Sequence, residues 1–215
     1  MPATRRPLSE VRRRRDVASV AMRQPSVRIV GAATVVALAA RARSGRGRSG
    51  DLVAAAAVLA ARPLAEWALH RVVLHARTPW LAGAHPAHHD DPTRLDRIVL
   101  RPGAAALDAF GVGALTRGAA RAAGAGSGPA WTAVAVAEAS LVVYEWCHLL
   151  IHSGYRPRSR WFRKIRAAHR RHHGPTGASR DFGVTSRSVD RVVGVVSRLP
   201  APSRPAPPAG CRSPR

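Results

Sequence analysis

Apolar residues gather in four stretches along the chain, roughly 27–42, 51–74, 103–121 and 129–152. Each is too long for a strand and reads as a helix. None is a clean run of about 20 uncharged residues, the length that a hydrocarbon core of about 30 Å demands. The first offers only Ile29 to Ala40 between Arg28 and Arg41, so those arginines must reach the headgroups along their aliphatic stems. The second carries Arg62 and Glu66, the third Asp108, and the fourth Glu138 and Glu145. A charge at mid-bilayer costs roughly 2.5–3.5 kcal/mol on insertion scales, so these groups are expected to face the bundle interior or sit near its ends. The pattern predicts an all-α protein, an integral membrane bundle of about four helices. A buried soluble helical bundle is the competing reading of hydropathy alone.

The polar segments divide the chain into a basic arm at 1–25, a membrane domain at 26–195 and a proline-rich tail at 196–215 that reads as disordered. The arm contains the run Arg12 to Arg15. Charge alone allows a nucleic-acid arm, the cytoplasmic flank of a membrane segment, or a solvated arm. The apolar stretch begins too late for a signal peptide, and no small-residue cleavage site stands out. The loop 41–50 holds Arg41, Arg43, Arg46 and Arg48. If the first two stretches both span from a cytoplasmic N-terminus, this loop lies outside, against the positive-inside tendency. Either the first pair forms a shallow hairpin, or the larger basic flanks set the orientation.

Composition narrows the chemistry. Hydrophobic residues make up 46%, too many for a disordered polyelectrolyte, although the formal charge is +23. Lys164 is the only lysine, and heavy use of Ala, Arg, Gly and Pro suggests a GC-rich bacterial genome. Cys147 and Cys211 cannot build a disulfide framework, and no CxxC starts a cysteine zinc site. The ten histidines fall in four clusters: His70 and His75; His85, His88 and His89; His148 and His152; His169, His172 and His173.

Such partitioning into HxxxxH, HxxHH, HxxxH and HxxHH points to metal ligation. On a helix, HxxHH places its three rings on one face, and His148 and His152 share a face. His70 and His75 do not on an unbroken α-helix, so either the helix ends between them or they serve different metals. Ten imidazoles exceed the needs of one ion and suit two, each drawing on more than one cluster. Imidazole suits zinc, iron, copper and nickel. Glu66 lies four residues before His70 and Glu145 three before His148, so both are candidates to orient an imidazole through its other nitrogen. Salt bridging to arginine is the plainer role for each.

In this order the boxes identify a resemblance. The chain resembles the fatty acid hydroxylase superfamily, also called the sterol desaturase family, over roughly residues 55–195. The resemblance rests on Glu66-Trp-Ala-Leu-His70-Arg-Val-Val-Leu-His75, His85-Pro-Ala-His88-His89 running on to Asp96, Tyr144-Glu-Trp-Cys-His148-Leu-Leu-Ile-His152, and His169-Arg-Arg-His172-His173, followed by Phe182-Gly183-Val184-Thr185-Ser186 and Asp190. It is most similar to the fatty-acid 2-hydroxylase branch, which has HxxxH in the third box and a Phe-Gly-(Ile/Val)-(Ser/Thr) segment followed by Asp. Carotenoid ring hydroxylases usually have one more residue between the third pair. The chain departs from the family in Gly174 to Asp181, where an aromatic or Lys/Asn-rich stretch is usual.

The resemblance implies two iron ions held by the ten histidines, with zinc able to replace iron on purification. O2 is the implied co-substrate, and Glu66, Glu145, Asp96 and Asp190 are candidates for supporting the ligands. It implies a bacterial cell membrane protein whose histidine-rich helical cap is cytoplasmic. A lipid substrate enters from the bilayer, and a separate ferredoxin or cytochrome with its reductase supplies electrons. Arg77, Arg94, Arg97, Arg156, Arg158, Arg160 and Arg163 flank the boxes and suit anionic head groups, an acyl carboxylate or thioester, or an acidic electron carrier. Positive-inside topology alone is the plainer account. A basic nucleic-acid-binding protein explains the charge but not the boxes, and no nucleic-acid motif is present. A desaturase or carotenoid hydroxylase of the same superfamily, and a non-catalytic membrane metal-binding protein, stay open.

Overall fold

The computed structural model describes residues 8–45, 50–75, 85–174 and 180–196. These form helices and turns, with no strand among the described residues. A 3-10 turn at Leu8–Glu10 precedes α1 (Arg14–Met22), α2 (Pro25–Arg43) and α3 (Asp51–Ala68), which runs on as a π-helical turn, Leu69–Leu74. Then come α4 (His85–Asp90), α5 (Leu95–Ile98), α6 (Pro102–Ala122), α7 (Ser127–His152), α8 (Arg160–His172) and α9 (Ser188–Val196). Proline opens α2 and α6 at positions where its missing N–H costs nothing.

Four segments have membrane length and hydropathy: Pro25–Arg43 with 19 residues, Asp51–Leu74 with 24, Leu95–Ala122 with 28 and Ser127–His152 with 26. The bundle is built around α7, which packs on α2, α3 and α6. Its apolar window is 61% buried, against 6% for that of α3. Large apolar side chains on the outer helices face outward, with Leu52 85% and Phe110 and Leu115 both 76% exposed. In water such surface costs about 25 cal/mol per Å², and hydrocarbon removes that cost. This distribution favours the membrane bundle over the soluble one. Both members of the first pair have the length and hydropathy of a span.

The charged residues in the spans obey the bilayer's constraint. Glu138 is buried against α6, where a Cβ on Gly113 would stand 3.3 Å from its Oε1. Arg62 donates to Thr185 Oγ1 (2.6 Å) and Ser140 O (3.3 Å) and pairs with Glu66. At the far end of the bundle Arg41 pairs with Asp51 at 2.6 Å, and Thr132 of α7 donates to the same carboxylate at 2.7 Å.

Residues 8–22 do not form a solvated arm. Leu8, Val17 and Ala21 are buried in one cluster with Leu149, Ile151, Phe162, Ile165 and Val184. Gly154 permits this contact, because a Cβ there would lie 2.3 Å from Ser9 O. The helix α8 turns Phe162, Ile165, Ala168, His169 and His172 inward and keeps most of its arginines outside. Arg77, Cys211 and nearly all of the proline-rich tail lie outside the described residues.

Candidate metal centre

The histidines stand where four elements end at one side of the bundle: the π-helical end of α3, the short α4, and the C-terminal turns of α7 and α8. They form two groups whose ligand atoms all lie within 4.8 Å of one another. Site A gathers His70, His75, His85, His89 and His172, and site B gathers His88, His148, His152, His169 and His173.

His70 and His75 belong to one site, and the helical segment ends between them, at Leu74, with His75 at its C-cap. The His75 N–H donates to His70 O at 3.2 Å, a bond spanning five residues. A π-turn stacks residues five apart as an α-helix stacks residues four apart. The three rings of each HxxHH box divide between the two sites. His85 and His89 go to site A and His88 to site B, while His169 and His173 go to site B and His172 to site A.

Within site A the Nε2 atoms of His70 and His85, of His85 and His75, and of His75 and His172 lie 3.0–3.1 Å apart. In site B the pairs His88–His148, His152–His169 and His169–His173 show the same spacing, 3.0–3.1 Å. Nitrogens bound at about 2.1 Å to one ion with about 90° between them stand about 3.0 Å apart. The donor set therefore fits one ion per site. Burial keeps the rings neutral and ready to ligate. His75 and His88 are pushed down to about 4 and His89 to about 3, by desolvation first and then by repulsion from His172. His85, His169 and His173 are lowered further, with burial again the largest cause.

The ligand supports are backbone carbonyls, which the residue pattern did not reveal. His70 Nδ1 donates to Phe182 O (2.6 Å) and His172 Nδ1 to Arg180 O (2.7 Å), fixing both rings with Nε2 inward. The Phe182 ring also covers site A, with its centroid 5.2–5.6 Å from those of His70, His75 and His172. This strap, residues 180–186, is itself held by carboxylates. Asp190 accepts from the Phe182 and Gly183 N–H groups, both at 2.9 Å, and from Trp67 Nε1 at 3.0 Å. Glu66 accepts from the N–H groups of Val184 (2.6 Å) and Thr185 (2.8 Å) and from the Thr185 hydroxyl. Asp181 pairs with Arg171 and Arg187. Gly183 has no room for a side chain, since a Cβ would lie 1.7 Å from Ser186 O.

The four carboxylate candidates thus separate. Asp190 and Glu66 act on the strap rather than on an imidazole, because buried backbone N–H groups claim their oxygens first. Glu145 is also buried, and its Oε2 meets no partner among the described residues. Asp96 lies on the surface, paired with Arg94 at 2.7 Å, and supports no ligand. Its neighbour Arg97 instead donates to Ala87 O inside the second box.

The family model described as fatty acid hydroxylase matches residues 55–195, which include all four histidine clusters. Among curated proteins and solved structures there is no match to the chain.

Proposed function

The chain belongs to the fatty acid hydroxylase family, and from that premise we propose that this membrane oxygenase-type enzyme hydroxylates a lipid acyl chain near its carboxyl end. The observation that carries the proposal is the pair of five-nitrogen sites at one end of a four-helix membrane bundle. Two iron ions are the proposed occupants, with zinc an accepted substitute because imidazole binds both. The iron pair supplies the activation of O2 and the insertion of one of its atoms into an unactivated C–H bond, which no side chain performs. The protein's own residues do the rest. The imidazoles that burial keeps neutral, among them His75, His88 and His89, offer Nε2 without first losing a proton. The carbonyls of Arg180 and Phe182 hold two of these rings in one tautomer. The outward-facing apolar side chains of α3 and α6 suit contact with acyl chains of the surrounding bilayer. Electrons come from a separate ferredoxin or cytochrome, the sites face the cytoplasm, and the host is a bacterium.

The preference for an acyl chain over a carotenoid ring rests on the HxxxH third box and the strap sequence Phe182-Gly183-Val184-Thr185. The test compares lipids extracted from cells expressing the wild type or His172→Ala, grown under ¹⁸O2. We expect an ¹⁸O-bearing hydroxyl on an acyl chain in the first and none in the second. A new double bond or a hydroxylated carotenoid in its place refutes the reaction and substrate while leaving the metal sites intact. Absence of any O2-dependent product from the reduced, iron-loaded protein leaves a metal-binding protein without turnover.

A further inference from the structure

A concavity outside the metal centre is lined by Arg12, Arg13 and Arg14 of the N-terminal segment and by Arg156 and Arg158 beyond the end of α7, with Gly154 at its floor. No carboxylate lines it. None of the five guanidinium groups makes a hydrogen bond or ion pair among the described residues, and all five arginines are exposed. The concavity is built rather than incidental. The Arg12 stem packs over Gly154, whose N–H donates to Leu8 O at 3.4 Å, so the buried Leu8 and Val17 anchor the arginine run against the loop. Arg166 fixes the loop from behind, donating to Ser153 O at 2.8 Å and to Tyr155 O. The α1 N-terminus opens beside the same arginines, and its Arg13 cap position supplies no side-chain acceptor, leaving first-turn N–H groups for an anion.

Like charges gathered on one concave surface repel, and an anion lying among them relieves that repulsion beyond what solvent screening does. We propose that this concavity binds the phosphate of an anionic membrane lipid. Its place in the fold favours a lipid over free phosphate. The helix α1 is separated from α2 only by Arg23 and Gln24, and Gly154 follows the end of α7 by two residues. The arginines are therefore bracketed by the same-side ends of two membrane spans, where lipid phosphates are concentrated.

The test uses the full-length, metal-loaded protein in a neutral detergent. Binding of short-chain phosphatidylglycerol is measured by calorimetry, with inorganic phosphate and short-chain phosphatidylcholine as separate arms. The wild type is expected to bind phosphatidylglycerol saturably. Arg13→Gln combined with Arg156→Gln and Arg158→Gln should weaken it at least tenfold, at roughly fivefold per arginine before screening. Arg160→Gln combined with Lys164→Gln and Arg191→Gln removes the same charge elsewhere and should change it less than twofold. The loop-only variant, Arg156→Gln with Arg158→Gln, gives the same reading should the triple variant not fold. Equal losses in the concavity and control variants overturn the site, as does binding of phosphatidylcholine as tight as that of phosphatidylglycerol. Inorganic phosphate binding as tightly as the lipid overturns the lipid assignment. Absence of saturable lipid binding, with arginine-dependent binding of an acidic ferredoxin, overturns it in favour of protein docking.

Discussion

Asp190→Asn isolates the strap from the ligands it supports. In the wild type three N–H groups converge on the Asp190 carboxylate, those of Phe182 and Trp67 on Oδ1 and that of Gly183 on Oδ2. Asparagine keeps the first oxygen and puts an NH2 where the second was, so a donor faces the buried Gly183 N–H. A charge-assisted bond is lost and a donor is stranded, at a cost of about 1.5–3 kcal/mol. Phe182 O, on the same peptide group as the Gly183 N–H, is the acceptor for His70 Nδ1. Disturbing such an outer partner typically weakens metal binding 10–100-fold. Both effects should therefore appear together: a lower melting temperature for the metal-free protein, and a 10–100-fold weaker site A in chelator competition. Asp96→Asn is the control, since its exposed pair with Arg94 is worth about 0–1 kcal/mol and touches no ligand. A destabilised Asp190→Asn protein with unchanged metal affinity would falsify the reading of the strap as a ligand support.

Other expectations follow from the same geometry. Gly183→Ala should cost more than about 3 kcal/mol, beyond ordinary overpacking, because its Cβ meets backbone rather than a flexible side chain; thermal unfolding of the purified variant checks this. The metal-free protein should lose stability as pH falls from about 6.5 toward 4. Between the unfolded value of 6.5 and the folded values of about 4 for His75 and His88, the unfolded chain binds more protons. The stability contributed by these histidines is full above pH 6.5 and falls below it, and a flat melting temperature from pH 7 to 4.5 contradicts this. Reporter fusions after Arg97 and after Asp190 should both read cytoplasmic, since α4 and the strap meet at one centre; opposite readings break the topology.

The spans were legible because a charge-poor apolar run of helical length has few other uses: the stretches 51–74 and 129–152 coincide closely with Asp51–Leu74 and Ser127–His152. The histidines were legible because spacing and chemistry agree. What escaped was whatever depends on backbone. The pairing of His70 with His75 needed a π-turn, and no residue among Leu69–Leu74 announces one. The carbonyls of Arg180 and Phe182 carry no side-chain signature, so Glu66 and Asp190 were placed one contact too close to the imidazoles. The N-terminal segment misled because charge dominates its composition, whereas Leu8, Val17 and Ala21, spaced through it, decide its packing.

The exchange of one histidine between boxes has an architectural consequence. The first half of the chain supplies His70, His75, His85 and His89 to site A and lends His88 to site B; the second half supplies His148, His152, His169 and His173 to site B and lends His172 to site A. The two halves are thus variations on one plan, a span-end pair followed by an HxxHH helix, interlocked by trading their central rings. Neither half can complete a site of its own. Seating one ion draws in a ring from the opposite half, and the helix bearing that ring brings its flanking ligands close to their own positions. The two groups share no histidine, so any coupling between two bound ions would run through the helices that carry the traded rings rather than through a common ligand.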